Sequence, residues 1–232
     1  RMFLKVGTHV PLRTILDGIC TASGNDATIA LAEHISGSEE AFVALMNERA
    51  HTLGMNHTHF ENSTGLPHDK HLSSAEDLAL LALEIVKKHH DFLPNLQKKW
   101  ITYNGIKQNN RNRLLWHDTS ITGMKTGHTK SAGYCLASSA SRQGHEFISI
   151  TLGSSNEHNR DQSTRTLLQY ATQHYAHKDI HVLPGTDELP VWYGRDKYIK
   201  LQLQNPIYIT TLKNDTTTQT KITLPKQIFA PV

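Results

Sequence analysis

Two short runs of polar residues carry the chemistry open to this chain: Ser23-Gly24-Asn25 and Lys125-Thr126-Gly127. The first offers a hydroxyl and a side-chain amide, each able to donate and accept hydrogen bonds. The second offers an ammonium, another hydroxyl and a glycine, whose missing Cβ lets a peptide backbone lie close along a strand. A hydroxyl and an ammonium brought together can move protons and hold a carboxylate. The runs are about a hundred residues apart, so only a tertiary fold that closes a groove between them can join them.

The elements that must do so can be read from periodicity. Leu12, Ile15, Leu16 and Ile19 recur at helical spacing after Pro11, predicting a helix from Pro11 to Cys20. Asn25 is expected to cap a second helix, Asp26 to Ile35, which stops at Gly37. Ser38 caps a third, with Glu39 and Glu40 at its positive end and a stripe of Phe42, Leu45, Met46 and Leu53. After a loop from Asn56 to His71, Ser73 and Glu76 read as a capping box for a helix through Val86. The serine run thus falls at a helix-to-helix junction, where polar side chains can face a cleft.

Beyond Pro94 the pattern changes. Trp100 to Tyr103 reads as a strand and Asn104 to Asn112 as a polar loop. Lys125 is expected at the start of a strand beside a turn. Gly133 to Arg142 and Phe147 to Leu152 read as paired strands around Gln143-Gly144, and their small residues suggest a sheet covered by helices. A last helix, Glu157 to Tyr175, would turn Leu167, Leu168 and Ala171 inward. From about His177 only short strand candidates remain: Val191 to Tyr193, Tyr198 to Leu203, Ile207 to Leu212 and Lys221 to Leu224. The expectation is an α/β (α+β) first domain over 1–176 and a β-rich second domain over 177–232.

Composition narrows the function. The net charge of +3 is small and unclustered, against a nucleic-acid partner. No apolar run approaches the roughly 20 residues of a membrane span. Cys20 and Cys135 are too few for a disulfide framework and read as buried thiols or one bridge. The 16 histidines, including His57, His59, His89 and His90, lack a metal-ligand motif, so no metal site is expected.

In this order, the two runs resemble two of the three motifs of penicillin-binding proteins and serine β-lactamases. Longer stretches resemble the low-molecular-mass, serine-type D-alanyl-D-alanine carboxypeptidases. Among them are Met2 to Gly7, Thr21 to Ala27, Gly65-Leu66-Pro67 with Ser73 to Ala79, Asn109 to Trp116, Gly123 to Thr129 and Val191 to Gly194. The resemblance implies a transpeptidase-like domain with a helical subdomain and an antiparallel sheet, followed by that family's β-rich domain. The third motif, Ser-x-x-Lys, holds the family's nucleophile, and no serine here has lysine three residues later. The chain is therefore expected to start downstream of it and to lack the nucleophile, with its second domain also incomplete.

By the same resemblance, Ser23 is a proton relay toward the leaving amine, and Asn25 holds a substrate amide and the missing lysine. Lys125 and Thr126 receive the substrate carboxylate, Gly127 lets the peptide lie along the strand, and the His128 N–H completes an oxyanion hole. Arg160, and more weakly Lys226, could also face that carboxylate. The implied activity is removal of the terminal D-Ala from peptidoglycan pentapeptides through an acyl-enzyme, with β-lactams as inhibitors and no cofactor. The implied place is the periplasm, with membrane association only through a C-terminal segment not in this chain. A non-catalytic peptidoglycan-binding relative and a serine β-lactamase are the alternatives. The second would need a Glu-x-x-Leu-Asn loop, which is absent.

Overall fold

The first polar run lies at a helix junction because its own residues end one helix and begin the next. Helix α1 (Leu12–Ala22) closes at Ser23, and α2 (Asn25–Ser36) opens with Gly24 as its N-cap. Asn25 is thus the first helical residue rather than the cap, and its amide is left for other partners. Helix α3 (Glu39–Thr52) is capped by Ser38, whose hydroxyl accepts the Ala41 N–H at 3.2 Å. Helix α4 (Ala75–Lys88) is capped by Ser74, which accepts the Asp77 N–H at 3.1 Å. The capping box expected on Ser73 is therefore shifted by one residue, and the Ser73 hydroxyl pairs with Thr58 at 2.9 Å instead. Two adjacent serines cannot be told apart by the motif alone.

The computed structural model describes residues 1–180, 188–201, 207–218, 223 and 225–229. The chain divides into two units, Arg1–Tyr170 and Ala171–Val232. In the first, α5 (Leu93–Leu96) precedes a hairpin of β1 (Trp100–Tyr103) and β2 (Ile106–Asn109). Asn104-Gly105, both at positive φ (48° and 75°), makes the two-residue turn between them. The segment expected to be a polar loop is therefore half strand, and the Asn-Gly pair was the signal for it. A short α6 (Leu114–His117) leads to a three-stranded antiparallel sheet of β3 (Ile121–Thr129), β4 (Gly133–Arg142) and β5 (His145–Ser154). Helix α7 (Glu157–His174) follows.

Side chains alternate across this sheet and give it two apolar faces. Leu136, Ala140 and Phe147 pack with Leu114, Leu115, Ile121 and Leu168. On the other side Met124, Ala137, Ile148 and Ile150 pack with Cys20, Ala82, Leu93 and Leu96. The sheet is thus covered by helices on both faces, as its small residues suggested. Leu167 does not join Leu168 inward; it is 45% exposed, since neighbours on a helix point about 100° apart. Cys20 is buried, Cys135 half-buried, and both are free thiols.

In the second unit, β6 (Tyr175–Ile180) pairs antiparallel with β9 (Ile207–Leu212). Between them in sequence, β7 (Glu188–Trp192) pairs with β8 (Tyr198–Lys200), and β10 (Ile228–Phe229) lies parallel to β7. The last helix therefore ends one residue earlier than expected, where Tyr175 enters a strand. Of the other strand candidates, residues 202–203 and all of 221–224 but Thr223 lie outside the described residues.

The N-terminal segment fixes the helix junction from outside. The Asp26 carboxylate accepts the N–H of Met2 at 2.7 Å and of Leu4 at 3.0 Å. Met2, fully buried, packs with Ile15 and Ala27. A Cβ at Gly24 would lie 3.0 Å from Met2 Cβ and 3.1 Å from its backbone N. Glycine stands between Ser23 and Asn25 because another backbone crosses there. Gly24→Ala should lower stability by about 1 kcal/mol, since overpacking of roughly 1–3 kcal/mol outweighs the gain from a stiffer unfolded chain. Urea unfolding checks this; an unchanged or raised midpoint would show that the crossing is not tight.

Candidate active site

Ser23 ends α1 in the left-handed conformation (φ 52°, ψ 50°), its N–H bonded to the Gly18 carbonyl. That conformation costs a non-glycine residue about 1 kcal/mol, and it turns the chain sharply into α2. Strand β3 supplies the other half. Lys125 lies mid-strand, paired with Ala137 of β4, rather than at a strand start beside a turn. Thr126, Gly127 and His128 continue along the same strand.

The two polar runs meet. The Lys125 ammonium donates to Ser23 Oγ and, at 2.8 Å, to the Thr126 carbonyl. Around this contact opens a cleft of about 590 Å³. Ser23, Asn25, Lys125, Thr126, Gly127, His128 and Arg160 all line it. Lys226 lies in the second unit. Arg160 is 2% exposed, and Asp161 Oδ1 accepts from its Nε at 2.9 Å and Nη2 at 2.7 Å. One edge of the guanidinium is thereby anchored, and the planar fork keeps a fixed direction.

Several cleft residues were not singled out from the sequence. Thr64 and Leu66 enter on a loop wound around Asn62. Its Oδ1 accepts the N–H of Thr64, Gly65 and Leu66 at 2.8–3.2 Å, and its Nδ2 donates to the Leu66 carbonyl. Glu39 holds the same loop from α3, accepting from the Ser63 N–H and hydroxyl at 3.0 and 2.6 Å. Arg111 is placed by its neighbours: Asn110 donates to the Lys98 carbonyl at 2.9 Å and accepts the Asn112 N–H at 2.9 Å. Asn110 and Asn112 are buried, so the exposed Arg111 between them must point out, into the cleft. The Tyr134 ring meets His128 with centroids 4.0 Å apart at the far end. The resemblance had marked 109–116 and 65–67 as stretches, without separating wall from support.

Burial governs the electrostatics. It pushes the Lys125 ammonium down to about 8; the Cys20 thiol opposes this, and the Arg111 charge adds to it. Burial likewise raises the Cys20 thiol to about 11, with Lys125 opposing. Near neutral pH the thiol is protonated, so it is no nucleophile. A minority of Lys125 is then neutral and able to accept a proton. Among the described residues no group of three or more His, Cys, Asp or Glu is arranged to hold a metal.

A sequence profile of the D-alanyl-D-alanine carboxypeptidases matches residues 1–156. The chain belongs to the D-alanyl-D-alanine carboxypeptidase family. Family members named DacD from Salmonella typhimurium and DacA from Escherichia coli K12 are 38% and 36% identical to it. These matches cover 91% and 90% of this chain but 55% and 52% of the relatives, so the chain spans about half their length. The solved structure of penicillin binding protein 5 from Haemophilus influenzae superposes with a TM-score of 0.84 at 34% identity. It covers all of this chain and 69% of that one. The mixed helical and antiparallel architecture is therefore the family's own.

The lowered Lys125 value has a consequence for stability. Below about pH 8 both folded and unfolded chains hold the proton, and the cost of burying the charge is fully present. Between about 8 and the ordinary 10.5 the unfolded chain alone keeps it, so folding becomes more favourable as pH rises. The stability of the parent relative to Lys125→Met should therefore climb from pH 8 to 9.5, by up to about 1.4 kcal/mol per pH unit. Urea melts of both proteins at each pH read this directly; a flat difference would mean that Lys125 titrates normally.

Proposed function

We propose that this chain forms the proton-relay and carboxylate-binding wall of a serine-type D-alanyl-D-alanine carboxypeptidase. The substrate is the D-Ala-D-Ala tail of peptidoglycan pentapeptides, cut through an acyl-enzyme, and β-lactams acylate the same site. One observation carries the reading: Lys125 and Ser23 are hydrogen-bonded at the floor of a single cleft. A ligand that ends in a carboxylate suits this cleft, because Lys125, Arg111 and Arg160 all border it. The family name and the penicillin-binding neighbour agree with that chemistry.

Each side chain then has a task. Thr126 and Arg160 receive the terminal carboxylate, while Gly127 leaves room for the peptide along β3. Asn25, released from capping, faces the substrate amide. As the amide breaks, Ser23 hands a proton from Lys125 to the departing D-Ala amine, and Lys125 regains one from solvent. The His128 N–H stabilises the oxyanion. No Ser-x-x-Lys occurs among the 232 residues, so the acylated serine of this scheme lies in no motif shown here. We place the catalytic domain at 1–176 and a β-rich domain at 177–232, working at the periplasmic face of the inner membrane.

Two experiments test this. The chain alone, incubated with labelled penicillin, should show no covalent band after denaturation; a band would place a nucleophile among these residues. Joined to a family segment bearing Ser-x-x-Lys, it should acylate, and Ser23→Ala or Lys125→Ala should each slow acylation by about 10²–10⁴-fold. Unchanged rates in both variants would remove the proton relay. In the same protein Asp161→Ala should raise KM for D-Ala-D-Ala peptides more than it lowers kcat, because it frees the Arg160 fork. An effect on kcat alone would show that Arg160 does not bind ground-state carboxylate.

A further inference from the structure

The loop that walls the cleft is tied by a group the proposed chemistry does not use. His59 and Leu72 exchange backbone hydrogen bonds at 2.9 and 3.0 Å, closing a neck around residues 60–71. Inside the neck, Glu61 is approached by three imidazoles. His59 Nε2 lies 3.1 Å from Oε1, and His68 Nδ1 lies 3.7 Å from Oε2. His71 Nδ1 accepts the Glu61 N–H at 3.3 Å while its ring meets Phe60 edge-on. The next residue, Asn62, begins the turn that presents Ser63 to Leu66 to the cleft.

We propose that His71, bonded to Glu61 inside the neck, forms an acid-release clamp, holding the cleft loop closed while its imidazole is neutral and loosening it once that ring is protonated. The Glu61 carboxylate faces His59 and His68, while His71 meets the Glu61 backbone N–H instead. The His71 bond is decisive, because an imidazole accepts at Nδ1 only when that nitrogen carries no proton. Protonating His71 therefore replaces the bond to Glu61 N–H with two facing donors. Burial favours the neutral ring, Glu61 opposes this and His59 and His68 reinforce it, so His71 stays below the ordinary histidine range. With its folded value depressed, its contribution is present above that range and lost as pH falls.

The charged groups around the loop do not substitute for Glu61. On the α4 side Asp77 accepts from His57 N–H and Thr58 hydroxyl, with His57 Nδ1 at 3.9 Å. On the α3 side Glu39 is held by Ser63. Asp69 and Lys70, of opposite sign, separate His68 from His71 on the loop itself, and Arg1 and Arg111 border the cleft. None of the bonds made by these acids is to His59, His68 or His71.

Amide hydrogen exchange by NMR on this chain, corrected for intrinsic rates, tests the clamp between pH 7.5 and 5.0. Protection at Glu61 to Leu66 should fall by up to about tenfold per pH unit as pH drops from the ordinary histidine value of 6.5 to the His71 titration and level off below it, while β4 keeps its protection. In His71→Asn the side-chain oxygen can take the place of Nδ1 and cannot be protonated in this range, so protection should persist to pH 5.0. Loop protection independent of pH, or an equal fall in His71→Asn, would overturn the proposal. Should that variant fail to fold, the His71 ring titration in the parent decides. The pH at which loop protection stops falling must coincide with it, and a separation of a full pH unit would refute the clamp.

Discussion

The contact between Lys125 and Ser23 sets conditions that much of the first unit exists to meet. An ammonium on the middle of a strand must reach a hydroxyl at the end of a helix, with both half-buried at the cleft. This needs the C-terminus of α1 to stop within a side chain's length of β3. The apolar cluster of Cys20, Leu93, Leu96 and Met124 supplies that spacing, since it joins α1, α5 and β3 directly behind the polar pair. Gly24 and the buried Met2 fix the exit from α1, and Asp26 ties the N-terminal segment to α2 by accepting the N–H groups of Met2 and Leu4. The polar contact is thus positioned by packing, and packing tolerates few alternative geometries.

Acidic side chains near the cleft are turned toward backbone or arginine, which leaves its inner surface cationic. Asp26 faces the N-terminal segment, Glu39 faces Ser63, Asp77 faces His57 and Thr58, and Asp161 faces Arg160. Glu157 does line the cleft, and it too lies near an arginine, 3.7 Å from Arg113. The arrangement explains how a chain of nearly balanced charge can offer an anion site. Local placement decides the sign, because fields from exposed charges farther off are screened within about 8–10 Å.

What was legible in the sequence follows from the range of the forces involved. Helix ends governed by their own residues, such as Ser38 and Gly37, could be read directly, as could the turn at Gln143-Gly144. Asn25 misled because a residue good at capping stood one position beyond the true cap, and the cap was set by the crossing of Met2. Strand β6 has no sustained apolar alternation; its partner β9 makes it a strand, and pairing at that distance leaves no local trace. In the cleft, the two motifs could be identified but their neighbours could not. Arg111 and Thr64 reach it beside two asparagines, the buried Asn112 and the half-buried Asn62, whose side chains act on backbone nearby. Such asparagines look in sequence like ordinary loop residues.

The junction of α1 and α2 also explains why the lysine there is only partly unsettled by burial. The C-terminal end of α1 is the negative end of its dipole, and it faces the Lys125 ammonium through Ser23. That interaction favours the charged form by about 0.3–1 kcal/mol, rising toward 2 in buried geometries. A fall in pKa from 10.5 to about 8 corresponds to roughly 3 kcal/mol in the opposite sense. Desolvation therefore prevails over the dipole, but by a margin small enough to leave both protonation states populated close to neutral pH. A fully solvated lysine would hold its proton more firmly, and one buried without a helix end would hold it less firmly, by up to about 1.5 pKa units. Between these limits the two roles proposed for this side chain, holding a carboxylate as a cation and exchanging a proton with the Ser23 hydroxyl, are compatible.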